Sequence, residues 1–496
     1  MAGAIKLEKL GKPGVVIACD TFAEDAKSAA QDNAMPTVRI RTISSAEFYR
    51  LRGSVKEVRP MVEKAFDSLI DALTRPLTAE EVNPPREKKE TLAPALITVT
   101  AESYPEALEE FNRMFLENRW GDGLPLVPPT PERVKWMLSG TSRSPGEVIG
   151  KVRPKLGVAT VEKIAINAVM AGAKPEYLPV IIAAMEALTD ENFDTLHVIA
   201  SAGSFTFLIV VSGPIVKEIG MQGGIGFLGH GWRANNTIGR AVRLSTLNIG
   251  QVWPGVNDMA LTGRVSPHTF YTFPENTELS VWEPYHANRG FKAEDSCVTV
   301  ASIGGASPMQ NFYGGMIGTW NAKDILDRIV EDIIRTDRRG FFMWGSKGVG
   351  PIPGSGGGGN NHYIILFPEL VAELKRMGYN QQSLQEEIYK RAVVRYEELS
   401  PADIKGIQGG IEMGVVPPER KAVFESAFKP GAMVPVLISP ENIHLFVAGG
   451  APGCAFSFSY YRIPPYNRTA VVTRLITGAT LTKAGATDVK RVPYGA

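Results

Sequence analysis

Three stretches of this sequence combine residue types that do chemistry with the glycines that let a backbone approach a ligand. The first is Gly220 to Leu244, GMQGGIGFLGHGWRANNTIGRAVRL, with six glycines between positions 220 and 231. The polar residues Trp232, Arg233, Asn235 and Asn236 follow at once, and then a helical pattern expected over Thr237–Leu247 carries Arg240 and Arg243. Glycines permit positive φ and close main-chain approach. Asn or Thr entering a helix caps its free amides, and a helix start after such a loop is an anion seat. Arg233 would add a planar, two-pronged partner for a carboxylate or phosphate. Arg233, Asn235, Asn236 and Thr237 are therefore the expected binders of a small anionic substrate.

The second stretch is Phe273 to Arg289, where Glu275, Glu278, Glu283, His286 and Arg289 stand among Trp282 and Tyr285. His286, with His230 in the first glycine loop and His362 after the third stretch, can move protons near neutral pH. Glu283 or Glu278 would orient the ring, and Trp282 would line the site. The third stretch, Val349 to Asn361, is a second glycine loop that ends on Asn361, a further substrate contact, and on His362. His197 and His444 sit in apolar surroundings and read as core histidines, while His268 reads either way.

Of the three cysteines, Cys454 follows an expected strand in the glycine turn 448–454, where backbone amides favour a thiolate. It is the candidate nucleophile. Cys19 bears the same relation to its strand, and Cys297 reads as a core residue. No paired cysteine spacing is present, which argues against a zinc knuckle and suits a reducing cytoplasm. A metal-dependent lyase or hydrolase built on Glu278, Glu283, His286 and His230 is the alternative chemistry, although no HExxH or DxD spacing accompanies those residues. Gly224, Gly226 and Gly229 fit a GxGxxG pattern without the acid expected about twenty residues later, and 350–361 lacks the GK[ST] ending of a phosphate loop. The cofactor is left open.

Positioning these residues requires alternating strands and helices. A net charge of +1 excludes a general nucleic-acid binder. No run of about 20 apolar residues spans a membrane, and the N-terminus lacks a signal core. Strands are expected over 13–19, 37–42, 96–100, 205–211, 296–303, 341–344, 363–367, 433–438 and 443–447. Helices are expected over 61–73, 104–118, 161–171, 176–188, 324–336, 368–376 and 382–396, with Thr130 and Pro131 opening another. The reading is an α/β protein of parallel or mixed sheets with flanking helices, divided into 1–85, 86–340 and 341–496. The three glycine turns are expected to face one cavity off the carboxyl ends of strands. A proline- and glycine-rich chain with exposed tryptophans is expected to form a homo-oligomer.

The order strand, Cys19-Asp20, helix, Met35-Pro36, strand resembles the C-terminal half of a bacterial family of cysteine or selenocysteine proteins named for its UGSC motif. That motif is expected upstream of the matching strand, so its reactive pair has no counterpart here. The pieces WGDGLPLVPPT, AGAKPEYLPV, RANNTIGRAVRL and ENTELSVWEPYH, over about 110–290, resemble a core block of bacterial proteins associated with that family. The resemblance implies sulfur or redox chemistry. The expectation is an intracellular enzyme acting on a small anionic or carboxylated metabolite, with a histidine acid/base and a Cys454 thiolate. A binding or assembly subunit without catalysis is the remaining alternative.

Overall fold

The computed structural model describes residues 2–32, 34–48, 55–82, 95–193, 195–201, 203–310, 321–337, 360–412, 416, 418–450, 454–461 and 469–480. The chain is α/β, with mixed sheets flanked by helices. The N-terminal part pairs β1 (Val15–Cys19) in parallel with β2 (Arg39–Ile43), joined by the Ala23–Asp32 helix and backed by the Val55–Thr74 helix. Its core is small, centred on Ile5, Val16 and Val38. A hairpin of β3 (Val148–Val152) and β4 (Gly157–Thr160) follows.

The bulk of the protein is built on two four-stranded sheets. The first contains β5 (Thr206–Ser212), β6 (Tyr271–Pro274) and β7 (Cys297–Ile303), and is completed by the C-terminal β14 (Val471–Leu475), in the order β14-β7-β5-β6. The second combines β8 (Gly305–Gln310), β9 (Asn360–Leu366), β12 (Ile443–Val447) and β13 (Cys454–Tyr461), in the order β12-β9-β13-β8. A short pair, β10 (Val393–Arg395) with β11 (Met433–Pro435), lies outside both. Each large sheet holds one parallel pair, β5 with β6 and β9 with β12.

The two sheets stack face to face, as side-chain alternation demonstrates. Tyr363, Ile365 and Phe446 join the core of the first sheet, whereas Ile364, Leu366, Leu445 and Val447 pack with the Ala322–Asp337, Pro368–Arg376 and Gln381–Arg391 helices. On the far face of the first sheet lie the Val161–Met170, Leu178–Thr189 and Arg233–Asn248 helices. The result is four layers, helix, sheet, sheet, helix. Thr206–Ser212 is buried at every position, which is why its apolar run is continuous rather than alternating.

Sheets do not divide at position 340. β8, before that point, pairs with β13, and β14, after it, returns to β7. Residues 96–100 form no strand. The strand expected over 341–344 and the glycine turn 349–359 lie outside the described residues.

Candidate functional site

The carboxyl ends of both parallel pairs converge. β5 ends at Ser212 and β6 at Pro274, while β12 ends at Val447 and β9 at Leu366. Two glycine turns meet there: the amide of Gly449 donates to the carbonyl of Gly223 at 2.7 Å, and Asn276 donates its amide to Val447 at 2.7 Å. The third expected turn lies outside the described residues except for its last two positions.

Inside this junction three buried polar side chains meet. Glu275 is 2% exposed and receives the amide of Tyr285 on Oε2 at 3.0 Å. Burial, only partly offset by hydrogen bonds from Tyr285, Val447 and Ser212, pushes its pKa up to about 8. The Ser212 hydroxyl lies 2.6 Å from His286 Nδ1, and His286 Nε2 lies 2.9 Å from the carbonyl of Lys292. A carbonyl only accepts, so Nε2 carries a proton. With the ring neutral, Nδ1 accepts from Ser212, whose hydroxyl also acts on the Glu275 carboxyl and so stands between two titratable groups.

The next residue along, Tyr285, opens a second cluster. Its hydroxyl lies 3.0 Å from His444 Nδ1, and Arg289 Nη2 lies 3.0 Å from the same nitrogen and donates to the Tyr285 hydroxyl as well. His444 Nε2 meets Asn361 Oδ1 at 3.0 Å, and its ring stacks on Tyr363 at 4.8 Å. Because guanidinium never accepts, Nδ1 must be bare and Nε2 protonated. Burial first, then the Arg289 charge and His362, hold the His444 pKa well below the ordinary histidine value. Arg289 is exposed while His444 is buried, so this cluster runs from solvent to the space between the sheets.

The remaining expected residues go elsewhere. The helix begins at Arg233 rather than Thr237, with Trp232 at the cap position and no side-chain cap. Asn235 therefore stands inside the first turn. Its Nδ2 donates to the carbonyls of Gln222 and Phe227, and its Oδ1 accepts the Gln222 amide. Asn236 Nδ2 donates to Gly229 and Trp232, and Trp232 Nε1 to Gly226. A glycine loop has no side chains to satisfy its own carbonyls, and these amides supply the donors. Thr237 bonds the Arg233 carbonyl within the helix. Arg233 is exposed and donates from Nε and Nη2 to Gly172, both at 3.2 Å.

His230 is exposed, and so is Glu283, whose carbonyl receives Gln381. Glu278 pairs with Lys217 at 3.0 Å. Among the described residues no group of three or more His, Cys, Asp or Glu is arranged to hold a metal ion, so Glu278, Glu283, His230 and His286 are not brought together. Trp282 is packed into the outer core. His362 is fully buried on the outer face of its sheet, its Nε2 2.9 Å from Asp337 Oδ1. Asn361, on the inner face, belongs to the His444 cluster.

Cys297 is buried, and that burial, with Asp295 nearby, pushes its pKa up to about 12. Burial also raises Cys19. Neither is a poised thiolate. Cys454 begins β13, and its side chain lies outside the described residues. His444 is buried with its ring nitrogens bonded, as expected of a core histidine, whereas Ser212, a serine ending an apolar run, carries no local mark in the sequence. The sequence did single out Glu275, Tyr285 and Arg289 as a polar concentration, but not their burial.

No protein-family model matches the chain, and neither does a curated protein or a solved structure. Among the described residues no helix is long and apolar enough to cross a membrane.

Proposed function

We propose that this chain is an enzyme that moves protons on a small anionic or carboxylated metabolite, with Glu275, Ser212 and His286 as its acid/base relay. One observation carries the reading: a carboxyl group pushed up to about 8 stands one hydroxyl from a histidine, at the carboxyl ends of two parallel strand pairs. Open α/β sheets bind ligands at such ends, and a general acid/base works best with a pKa near the operating pH. Burying this many ionisable groups is a poor way to gain stability, which favours a chemical role. The substrate would reach the relay when the Gly223–Gly449 contact opens, as loops do in many enzymes. A thiol contribution, as the UGSC resemblance implies, would rest on Cys454, since Cys19 and Cys297 are raised.

The test needs no prior substrate. The full chain is incubated in D2O with a panel of small carboxylic and keto acids, and carbon-bound protons are followed by NMR. The expected result is catalysed exchange of at least one panel member, reduced about 100-fold or more in E275Q. No exchange across the panel, or equal exchange by E275Q, overturns the reading.

A further inference from the structure

On the helix-covered face of the first sheet, the side away from Glu275, two ion pairs flank a third guanidinium that has none among the described residues. Arg240 grips Asp122 through Nε at 2.8 Å and Nη2 at 2.9 Å. Arg264 holds Asp258 through Nε at 2.9 Å, and its remaining nitrogens serve the carbonyls of Gly203, Phe205 and Ser201. Both carboxylates are thereby used. Arg243 lies one helical turn beyond Arg240. Its guanidinium carbon stands 5.3 Å from the centre of the Phe270 ring, and among the described residues it has neither a hydrogen bond nor an ion pair. The side chain is half-buried and so keeps an opening to solvent.

The electrostatics point the same way. Burial pulls the Arg243 pKa down to about 10, Arg264 pulls it lower still, and Asp258 and Asp122 only partly compensate. A guanidinium presents five donors in a fixed fork. No nitrogen of Arg243 is among the buried unpaired polar atoms, so the fork meets water, which an arriving oxyanion would replace with charge-assisted hydrogen bonds. The two neighbouring pairs are locked to each other and cannot swing over to satisfy it. Phe270 supports the flat face of the fork and leaves its edge for a ligand.

We propose that Arg243 is the seat of a small oxyanion, a carboxylate or a phosphate, bound by its guanidinium edge beside the Asp122–Arg240 and Asp258–Arg264 pairs. The seat is separate from the Glu275 relay, with the first sheet between them.

The test is thermal melting of the full chain with inorganic phosphate or succinate, against sodium chloride at matched ionic strength. At roughly 10 mM anion the wild-type Tm is expected to rise by roughly 2 °C or more. A shift with phosphate alone assigns a phosphate ligand, and a shift with succinate alone assigns a carboxylate. R243M is expected to melt at or above the wild type in plain buffer, because an unpaired charge has been removed, and to show no anion shift. R243K, which keeps the charge but loses the fork, is expected to show less than half the shift, and it decides the matter if R243M does not fold. E275Q is expected to keep the full shift, which separates this seat from the proton relay. No wild-type shift beyond chloride, or an equal shift in R243M or R243K, overturns the proposal.

Discussion

Gly449 donates its amide to the carbonyl of Gly223 at 2.7 Å, and that single bond ties the turn after β12 to the loop after β5. Gly449 has a φ of +84°, and a Cβ there would come within 2.6 Å of the Phe367 ring. G449A therefore adds both backbone strain and a clash. It is expected to cost about 1–3 kcal/mol, read as a lower denaturant midpoint with an unchanged slope. Amide exchange should become faster over 220–231 than elsewhere. Wild-type exchange in that loop would mean the contact does not hold it.

Glu275 makes stability depend on pH with a definite sign. Its folded pKa of about 8 lies above its ordinary value of 4.5, so the folded chain holds a proton that the unfolded chain has released. The contribution is full below about 4.5 and is lost as pH rises through 8, at up to roughly 1.4 kcal/mol per pH unit. E275Q mimics the protonated group. Chemical denaturation at pH 5 to 9 should show the decline flattened in E275Q, with the variant more stable than the wild type at the alkaline end. Parallel pH curves for the two proteins would contradict the assignment.

His444 acts in the opposite direction. Its folded pKa is depressed, so below the ordinary histidine value of 6.5 the unfolded chain takes up a proton that the folded ring refuses. Stability is therefore lost as pH falls below about 6.5. Nitrogen NMR of the histidine rings should find His444 neutral at pH 5.5, with its proton on Nε2. R289M removes the donor and charge at Nδ1 and is expected to raise the His444 pKa. A ring that titrates normally in the wild type would rule out the cluster as described.

The Asp122–Arg240 pair is the strut that joins loop 119–127 to the Arg233–Asn248 helix, with Asp122 side-chain exposure of only 4%. D122A takes the carboxylate from Arg240, beside Arg243, which has no ion pair among the described residues. The expected cost is about 3 kcal/mol. The double variant D122A/R240M should recover much of it, since removing both charges leaves none stranded. Additive losses in the double variant would show that the pair contributes through something other than its charges.

Local structure was largely legible. Thr130 followed by Pro131 and Glu132 announces a helix start, and Thr130 indeed accepts the Arg133 amide. The apolar run 205–211 is the buried centre of a sheet, and Cys19 does end a strand in a parallel pair. These features depend on a residue's near neighbours, through capping, periodicity and turn chemistry. Residues 96–100, also β-branched, make no strand, because a strand exists only where another edge accepts its hydrogen bonds.

The sequence by itself determined the class of the fold and the polar concentration at 275–289. Only the tertiary structure decided what those residues do. It placed Ser212 between Glu275 and His286, brought His444 to Tyr285, returned β14 to β7, and turned Asn235 and Asn236 inward to serve their own loop. It also left Arg243 unpaired among the described residues while Arg240 and Arg264 found carboxylates. The physical reason is that the periodicity of a segment encodes which face is buried, whereas a charge or hydroxyl acquires its role from partners that arrive from distant parts of the chain. Burial then sets the protonation of those groups, and burial belongs to the packed whole.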